Sequence, residues 1–453
     1  MLEKTERQNF LYRLQEWFGS DFTAVFFLLF GALCWNFGWS EFLVVVYATS
    51  FVLTLLICKN VKNVFVFLFF IAFFIKQIEA EDSVWSVYVP CVAICAISVI
   101  AFVVSKLAAE KNKIKSGKMF FPIVVYVVVM MIGGAIGRFN VTAFFIFLGF
   151  GTELLFFYLI AINHTEGLSD FLAKIFIVGA ILIIFCLLSN NLKEGKRLFA
   201  EPALFIVAQN VNTSAIFIAL GMAGCFYLGV GKRKDYLYIV LSLVLLLAVI
   251  YTRCRTMIII SIGLFIAEHV LFFVFSKYKL AILCLTGLLV FAVIIGFIVF
   301  NSAVKSFIVE FMDKDNVWEN PIGVRKILWQ WCIDRFNEYP YFGYGYINDG
   351  YVPSLVSFYP NIVLAHNTVL QWLTATGVVG SAIATYFYLC KYSVLFSRFN
   401  KNKIFHTLCI LTIALSGTFD QSPTMDIFVL VATVVILAAS EKTTDKGFIS
   451  TAY

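Results

Sequence analysis

Apolar runs of about 15 to 22 residues recur along the chain, beginning near Phe22, Phe42, Val64, Val84, Met119, Val141, Phe171, Ser214, Tyr236, Thr256, Leu280, Thr368, Ile404 and Ile427. Each approaches the ~20 residues a helix needs to cross a ~30 Å hydrocarbon core. The pattern predicts an all-α integral membrane protein with about 12 to 14 transmembrane helices. Ahead of the first run, Phe10, Leu11, Leu14, Trp17 and Phe18 recur at helical spacing, with Arg7, Arg13 and Glu16 between them. This predicts an amphipathic helix on the membrane surface. The segment has no small-residue cleavage site and does not read as a removable signal. One polar stretch, from Asn301 to His366, interrupts the apolar pattern. The expected division is an interfacial segment over 1–21, a transmembrane bundle of about eleven segments over 22–300, a large extracytoplasmic loop over 301–366, further membrane helices over 367–440 and a cytoplasmic tail over 441–453.

Composition agrees with the pattern. The chain is 61% hydrophobic and 13% charged, with 51 Phe, against the roughly half apolar and quarter charged of a soluble domain. The 11 cysteines are scattered, mostly inside apolar runs, without a Cys-x-x-Cys pair, and read as small buried hydrophobes. The net charge of +7 does not indicate nucleic acid, because the basic residues sit in short loops. With the N-terminus inside, about twenty-two Lys and Arg fall on the cytoplasmic side and about twelve outside. Lys111-Lys113-Lys115-Lys118, Lys232-Arg233-Lys234, Lys277-Lys279 and Arg398-Lys401-Lys403 all fall inside. The positive-inside rule then makes both termini cytoplasmic and the long loop external. No phosphate-binding Gly-rich loop or dinucleotide fingerprint is found. A transferase working outside the membrane needs a preactivated, lipid-carried donor. No cofactor is expected.

Candidate chemistry follows from polar groups in unusual places. Thr252-Arg253-Cys254-Arg255-Thr256 puts two arginines in a turn between apolar runs, and an arginine near the bilayer middle costs about 3 kcal/mol. Either both snorkel to the interface or they form an anion site, since guanidinium binds phosphate oxygens in bidentate fashion. Arg325 follows Asn320-Pro321, a helix start, and Val324, Ile327, Leu328 and Trp331 continue the period up to Pro340. Arg325 thus lies near the positive end of a helix, which favours anions, although a lone charge on such a helix is also consistent with a solvated residue. The loop is dense in aromatics, including Trp318, Trp329, Trp331, Tyr339, Tyr341 and Tyr344. These serve an interfacial belt, a small core or a sugar-stacking surface. His366 closes the loop, and an imidazole with a pKa near 6.5 suits a general base. Of the other histidines, His164 and His406 fall in or beside inner loops and His269 lies within an apolar run. Glu79-Glu81-Asp82 reads as a solvated loop rather than a metal site, and no metal site is expected.

Arg325-(x)3-Trp329, Pro340-Tyr341-Phe342-Gly343-Tyr344-Gly345, Ala365-His366-Asn367, Leu370 and Gly377 resemble, in order and spacing, the O-antigen ligase and polymerase superfamily of bacterial membrane glycosyltransferases. The Arg253-Cys254-Arg255 turn is similar to that family's Ser-Arg-(Gly/Thr) turn, with Cys254 in place of the usual serine, and Gln209-Asn210-Val211-Asn212 is similar to its Asn-x-Asn element. The resemblance covers about Gln209 to Gly380. It implies a GT-C-like, metal-independent inverting transferase acting on an undecaprenyl diphosphate-linked oligosaccharide, with a glycan or lipid A core as acceptor. It also implies that Arg255 and Arg325 hold the diphosphate and that His366 is the base. Arg253, Asn367, Asn210, Asn212, Tyr344, Trp329 and Asp420 are then expected to bind substrate. A polysaccharide exporter or lipid-linked oligosaccharide flippase is the competing reading. The absence of an internal repeat weakens it, because many transporters consist of two similar halves.

Overall fold

A computed structural model of the chain describes residues 2–74, 82–109, 114–136, 141–193, 195, 211–231, 235–276, 278–299, 321–345, 367–397, 400–418 and 427–442. Within them lie sixteen helices and no strand: α1 (Leu2–Gly19), α2 (Asp21–Phe37), α3 (Ser40–Ile57), α4 (Val64–Phe74), α5 (Asp82–Ala109), α6 (Phe120–Ile136), α7 (Val141–Asn163), α8 (Leu168–Lys193), α9 (Val211–Gly229), α10 (Asp235–Tyr251), α11 (Arg255–Phe275), α12 (Lys279–Val299), α13 (Pro321–Glu338), α14 (Thr368–Phe396), α15 (Lys401–Ser416) and α16 (Ile427–Lys442). Every one of the apolar runs read from the sequence is a helix that starts within three residues of the expected position. The all-α membrane architecture is therefore borne out. Six helices pass outright as membrane spans by length and hydropathy among the described residues. A bent pair, Tyr12–Gly19 with Asp21–Phe37 at 64°, adds another, and four apolar helices are shorter.

Contacts between helix ends sort them into two sets, as up-and-down threading requires. At one end, rich in lysine, Val61 N donates to His164 O (3.0 Å), and Lys403 Nζ donates to Val394 O and Ser440 Oγ. The last turn of α16 closes this end. The Glu441 carboxylate accepts from Lys118 N (2.6 Å), Met119 N (3.0 Å) and Tyr158 OH (2.6 Å), while Lys442 Nζ donates to Ala161 O (3.2 Å) and Thr165 Oγ1 (3.2 Å). An acid thus caps the start of α6 and a base the end of α7, each matched to the helix dipole it meets. At the other end, Asn36 meets Ser189 and Lys193, Asn191 donates to Tyr251 OH, and Thr368 N donates to Gly417 O (2.9 Å).

The core sits around α9, which is buried along nearly its whole length. Gly221 and Gly224 let α8 approach it, since an added Cβ at Gly224 would stand 2.7 Å from Ala173 O. Small residues permit such backbone contact in membranes, where no hydrophobic effect drives helices together. Phe69, Phe70 and Phe73 of α4 pack with Phe176 of α8 and Phe217 of α9. His269 is packed in its helix as expected, with its ring 4.3 Å from that of Phe265. His406, expected in or beside an inner loop, lies in the second turn of α15 and is fully buried, with Nε2 3.1 Å from Ser169 Oγ at the start of α8.

Candidate functional site

The end opposite the lysines carries Asn212, Arg253, Arg255 and Asn367 of the residues singled out from the sequence. Helix α10 stops at Tyr251, and α11 begins only four residues later. The turn is held by Thr252 N to Ala248 O (3.1 Å), Arg253 N to Ile250 O (3.0 Å) and Cys254 N to Thr252 Oγ1 (3.3 Å). To reverse direction in so few residues the chain places Arg253 in the left-handed region, at φ 55°, where among the described residues every other position with positive φ is glycine. An L-residue there costs roughly 1–2 kcal/mol, and such strain concentrates at functional sites. Cys254 is the N-cap of α11 but does not cap it with its side chain. Its thiol donates instead to Asn212 Oδ1 (2.8 Å) at the head of α9. Asn212 and the two arginines are thereby brought to one place.

Helix α11 has Arg255 at its first position and no acid in its first turn. The helix start and the guanidinium are both positive, so each disfavours the other and both favour an anion.

A second group forms around α13, which runs from Pro321 to Glu338 as the Asn320-Pro321 and Pro340 signals predict. Arg325 lies on this helix, two turns upstream of Cys332. After α13, the segment 340–345 inserts into a break in α14 at Gly377 (φ 62°, ψ −162°). In an unbroken helix Val378 N would bond Thr374 O and Val379 N would bond Ala375 O. Here Tyr344 N takes Thr374 O (2.7 Å), Gly345 N takes Ala375 O (3.1 Å), Val378 N donates to Pro340 O (2.9 Å) and Val379 N to Tyr341 O (3.2 Å). These two donors and two acceptors released by the break are all satisfied, as a backbone at membrane depth demands. A Cβ at Gly343 would meet Ala375 C and Thr376 N at 2.4 Å, and one at Gly377 would meet Tyr341 O at 2.4 Å. These two positions require glycine by geometry. Nineteen residues, Val378 to Phe396, remain to cross the membrane, about 28 Å of helix.

Tyr344, expected to bind substrate, is only 3% exposed. Its ring packs against Trp331 (5.8 Å, edge-on) and Tyr339 (5.4 Å), so it anchors the strap. Sequence reasoning passed over Arg335, whose guanidinium lies 5.5 Å from the Tyr344 ring and 5.8 Å from Trp331 and pairs with Glu338. The signal was present: Trp331, Arg335 and Glu338 follow at i, i+4 and i+7 on one helix face. Cys332, on the same helix, accepts at its backbone carbonyl from Thr374 Oγ1 (3.3 Å), and burial pushes its thiol up to about 11. Trp329 is half-buried on α13. Asn367 caps α14, accepting from Val369 N and Leu370 N (3.0 Å each), and its Nδ2 donates to Thr418 O (2.9 Å). His366, Asn210, Asp420, Glu79, Glu81 and the side chain of Arg325 lie outside the described residues.

The arginine turn, α13, the strap and the broken start of α14 fall in a single stretch of sequence, and that stretch has a known counterpart. Residues 240–385 match the O-antigen ligase family. The resemblance read from the sequence is borne out over about a third of the chain, and Asn212 lies outside the matched range. No curated protein matches the chain. The chain is thus a multi-pass helical membrane protein that is similar, over residues 240–385, to the O-antigen ligase family.

Proposed function

We propose that the protein is a metal-independent, inverting glycosyltransferase that moves glycan from an undecaprenyl diphosphate-linked donor to a sugar hydroxyl on the outer face of the bacterial cytoplasmic membrane. Both termini then lie in the cytoplasm, and the arginine turn faces outward. The observation that carries this reading is the head of α11, where Arg255, a helix start without acids and a strained Arg253 converge within the family-matched stretch. Such a site suits a diphosphate, and Arg325 on α13 supplies a second cation to it.

In the reaction His366 accepts the proton of the acceptor hydroxyl as that oxygen bonds to the anomeric carbon. The carbon–oxygen bond to the diphosphate breaks on the opposite face, and the electron pair leaves with the diphosphate. Arg255 and Arg325 stabilise the charge that develops there, an effect of the kind worth roughly 10²–10³ in rate per preorganised donor. Asn367, which fixes the start of α14, holds the backbone next to His366 in place. The acceptor is a growing surface polysaccharide in a polymerase or a lipid A core in a ligase, and the donor chemistry is shared. Purified protein given lipid-linked repeat units should transfer or lengthen glycan in the presence of EDTA. Loss of transfer with EDTA would rule out a metal-independent mechanism.

A further inference from the structure

The break at Gly377 divides α14 into a short half that begins at Thr368 and a long half that ends at Phe396. Trp372, on the short half, and Tyr388, on the long half, have ring centroids 5.2 Å apart. Sixteen residues of unbroken helix would set them about 24 Å apart along the axis. The short half is therefore folded back against the long one, and Trp372, Ala375 and Ala384 form a small buried cluster in the angle between them. Tyr126 of α6 closes this cluster, 6.2 Å from Trp372 and stacked on Phe387 at 4.9 Å.

Beside Tyr388 lies Lys391, only 3% exposed. Its ammonium stands 3.6 Å from the centre of the Tyr388 ring, 5.4 Å from that of Tyr392 and 5.9 Å from that of Phe387. Among the described residues Lys391 makes no ion pair, and no residue lining the cavity it borders between α6, α7, α14, α15 and α16 is acidic. A lysine near a helix end ordinarily snorkels to the polar interface. Lys391 is five residues, about 8 Å, from the end of α14, yet its charge turns inward onto a ring. Burying an ammonium is costly, and the ring faces offset that cost. A position that needed volume alone would carry an apolar side chain, as the same face of α14 does at Ala384, Phe387, Val394 and Leu395.

We infer that Lys391 is a positioning residue. Its ammonium pins the Tyr388 ring, the Tyr388 ring holds Trp372, and the short half of α14 is locked at its angle together with its N-cap Asn367, the residue next to His366 in the chain. The role of His366 rests on the glycosyl-transfer reading, but the lock is also measured without transfer. The short half covers α13: Thr374 Oγ1 donates to Cys332 O (3.3 Å), and Cys332 is only 1% exposed. Loosening the lock uncovers that thiol.

Lys391→Met keeps the length of the side chain and removes its charge, whereas Lys391→Arg keeps the charge. Purified protein is assayed for steady-state transfer from lipid-linked repeat units and for the rate at which N-ethylmaleimide alkylates Cys332 at pH 8, followed by peptide mass spectrometry. Lys391→Met should lower kcat about tenfold with KM for the donor unchanged, and should speed alkylation of Cys332 about tenfold. Its melting temperature should equal or exceed that of the unmodified protein, because an apolar chain replaces a buried charge. Lys391→Arg should restore both rates. A lysine that is merely packed there gives a raised melting temperature in Lys391→Met with kcat and alkylation unchanged, and that result would overturn the lock, as would a loss that Lys391→Arg does not restore. Trp372→Leu removes the far end of the lock and leaves Lys391 in place, so it should also speed alkylation; an unchanged rate there would overturn the lock even where Lys391→Met does not fold. Faster alkylation in Lys391→Met with no transfer by any chain removes the reaction and leaves the lock standing, whereas transfer at equal kcat and equal alkylation in all variants removes the lock alone.

Discussion

Arg255 and Arg253 differ in what their backbones reveal. Arg255 begins a regular helix, and its role rests on charge. Arg255→Ala is expected to lower transfer roughly 10²-fold or more, with Arg255→Lys retaining part of it because a lysine keeps the charge and loses the bidentate fork. Steady-state assays on detergent-solubilised protein measure both. Arg253 pays a conformational cost at φ 55°, so Arg253→Gly should raise thermal stability by about 1 kcal/mol while raising KM for the donor. A rise in stability with an unchanged KM would assign Arg253 to the turn alone. The turn itself was legible in the sequence as two arginines between apolar runs. The sign of φ was not, because only glycine or asparagine advertises that conformation. Nor was the Cys254–Asn212 bond, which joins residues 42 apart.

At the scale of elements, α13 could be read from its boundary residues, Asn320-Pro321 and Pro340, and from its helical period. The break in α14 could not. Thr374-Ala375-Thr376-Gly377-Val378 reads as continuous helix, and an isolated glycine in a helix is normally tolerated. What breaks it is the insertion of 340–345, a tertiary event whose only trace in sequence is a set of glycines. Gly377→Ala is expected to destabilise the protein by on the order of 3 kcal/mol, since it combines a left-handed backbone with a backbone clash, and a thermal melt in detergent measures the loss. Cys332 reports the same event locally. Its buried thiol, pushed up to about 11, should resist maleimide at pH 8 in the native protein, and it should become reactive in Gly377→Ala as α13 separates from α14. Unchanged labelling in that variant would show that the strap does not hold α13 down.

For the whole molecule, each apolar run read from hydropathy is a helix among the described residues, while side-chain pairing between distant segments stayed hidden because it has no local signal. The clamp of Glu441 and Lys442 on α6 and α7 is one such feature. Glu441→Leu would leave the amides of Lys118 and Met119, just ahead of α6, without that acceptor, a loss of about 1–3 kcal/mol visible as a lower melting temperature. Transfer activity per folded molecule should be unaffected, because the clamp lies at the end of the bundle opposite the arginine turn. The roles proposed for His366, Asn210 and Asp420 rest on the sequence resemblance, whereas for Asn212, Arg253 and Arg255 the structure adds a shared position at the α10–α11 turn. The central claim is that this end of the bundle transfers glycan from a diphosphate-linked lipid with His366 as base. The most direct measurement is glycan transfer by purified protein from lipid-linked repeat units in EDTA, comparing the unmodified chain with His366→Ala and Arg255→Ala and determining the anomeric configuration of the product. The account predicts transfer with inversion by the unmodified chain and near-complete loss in both variants; full activity in either variant, or retention of configuration, would contradict it.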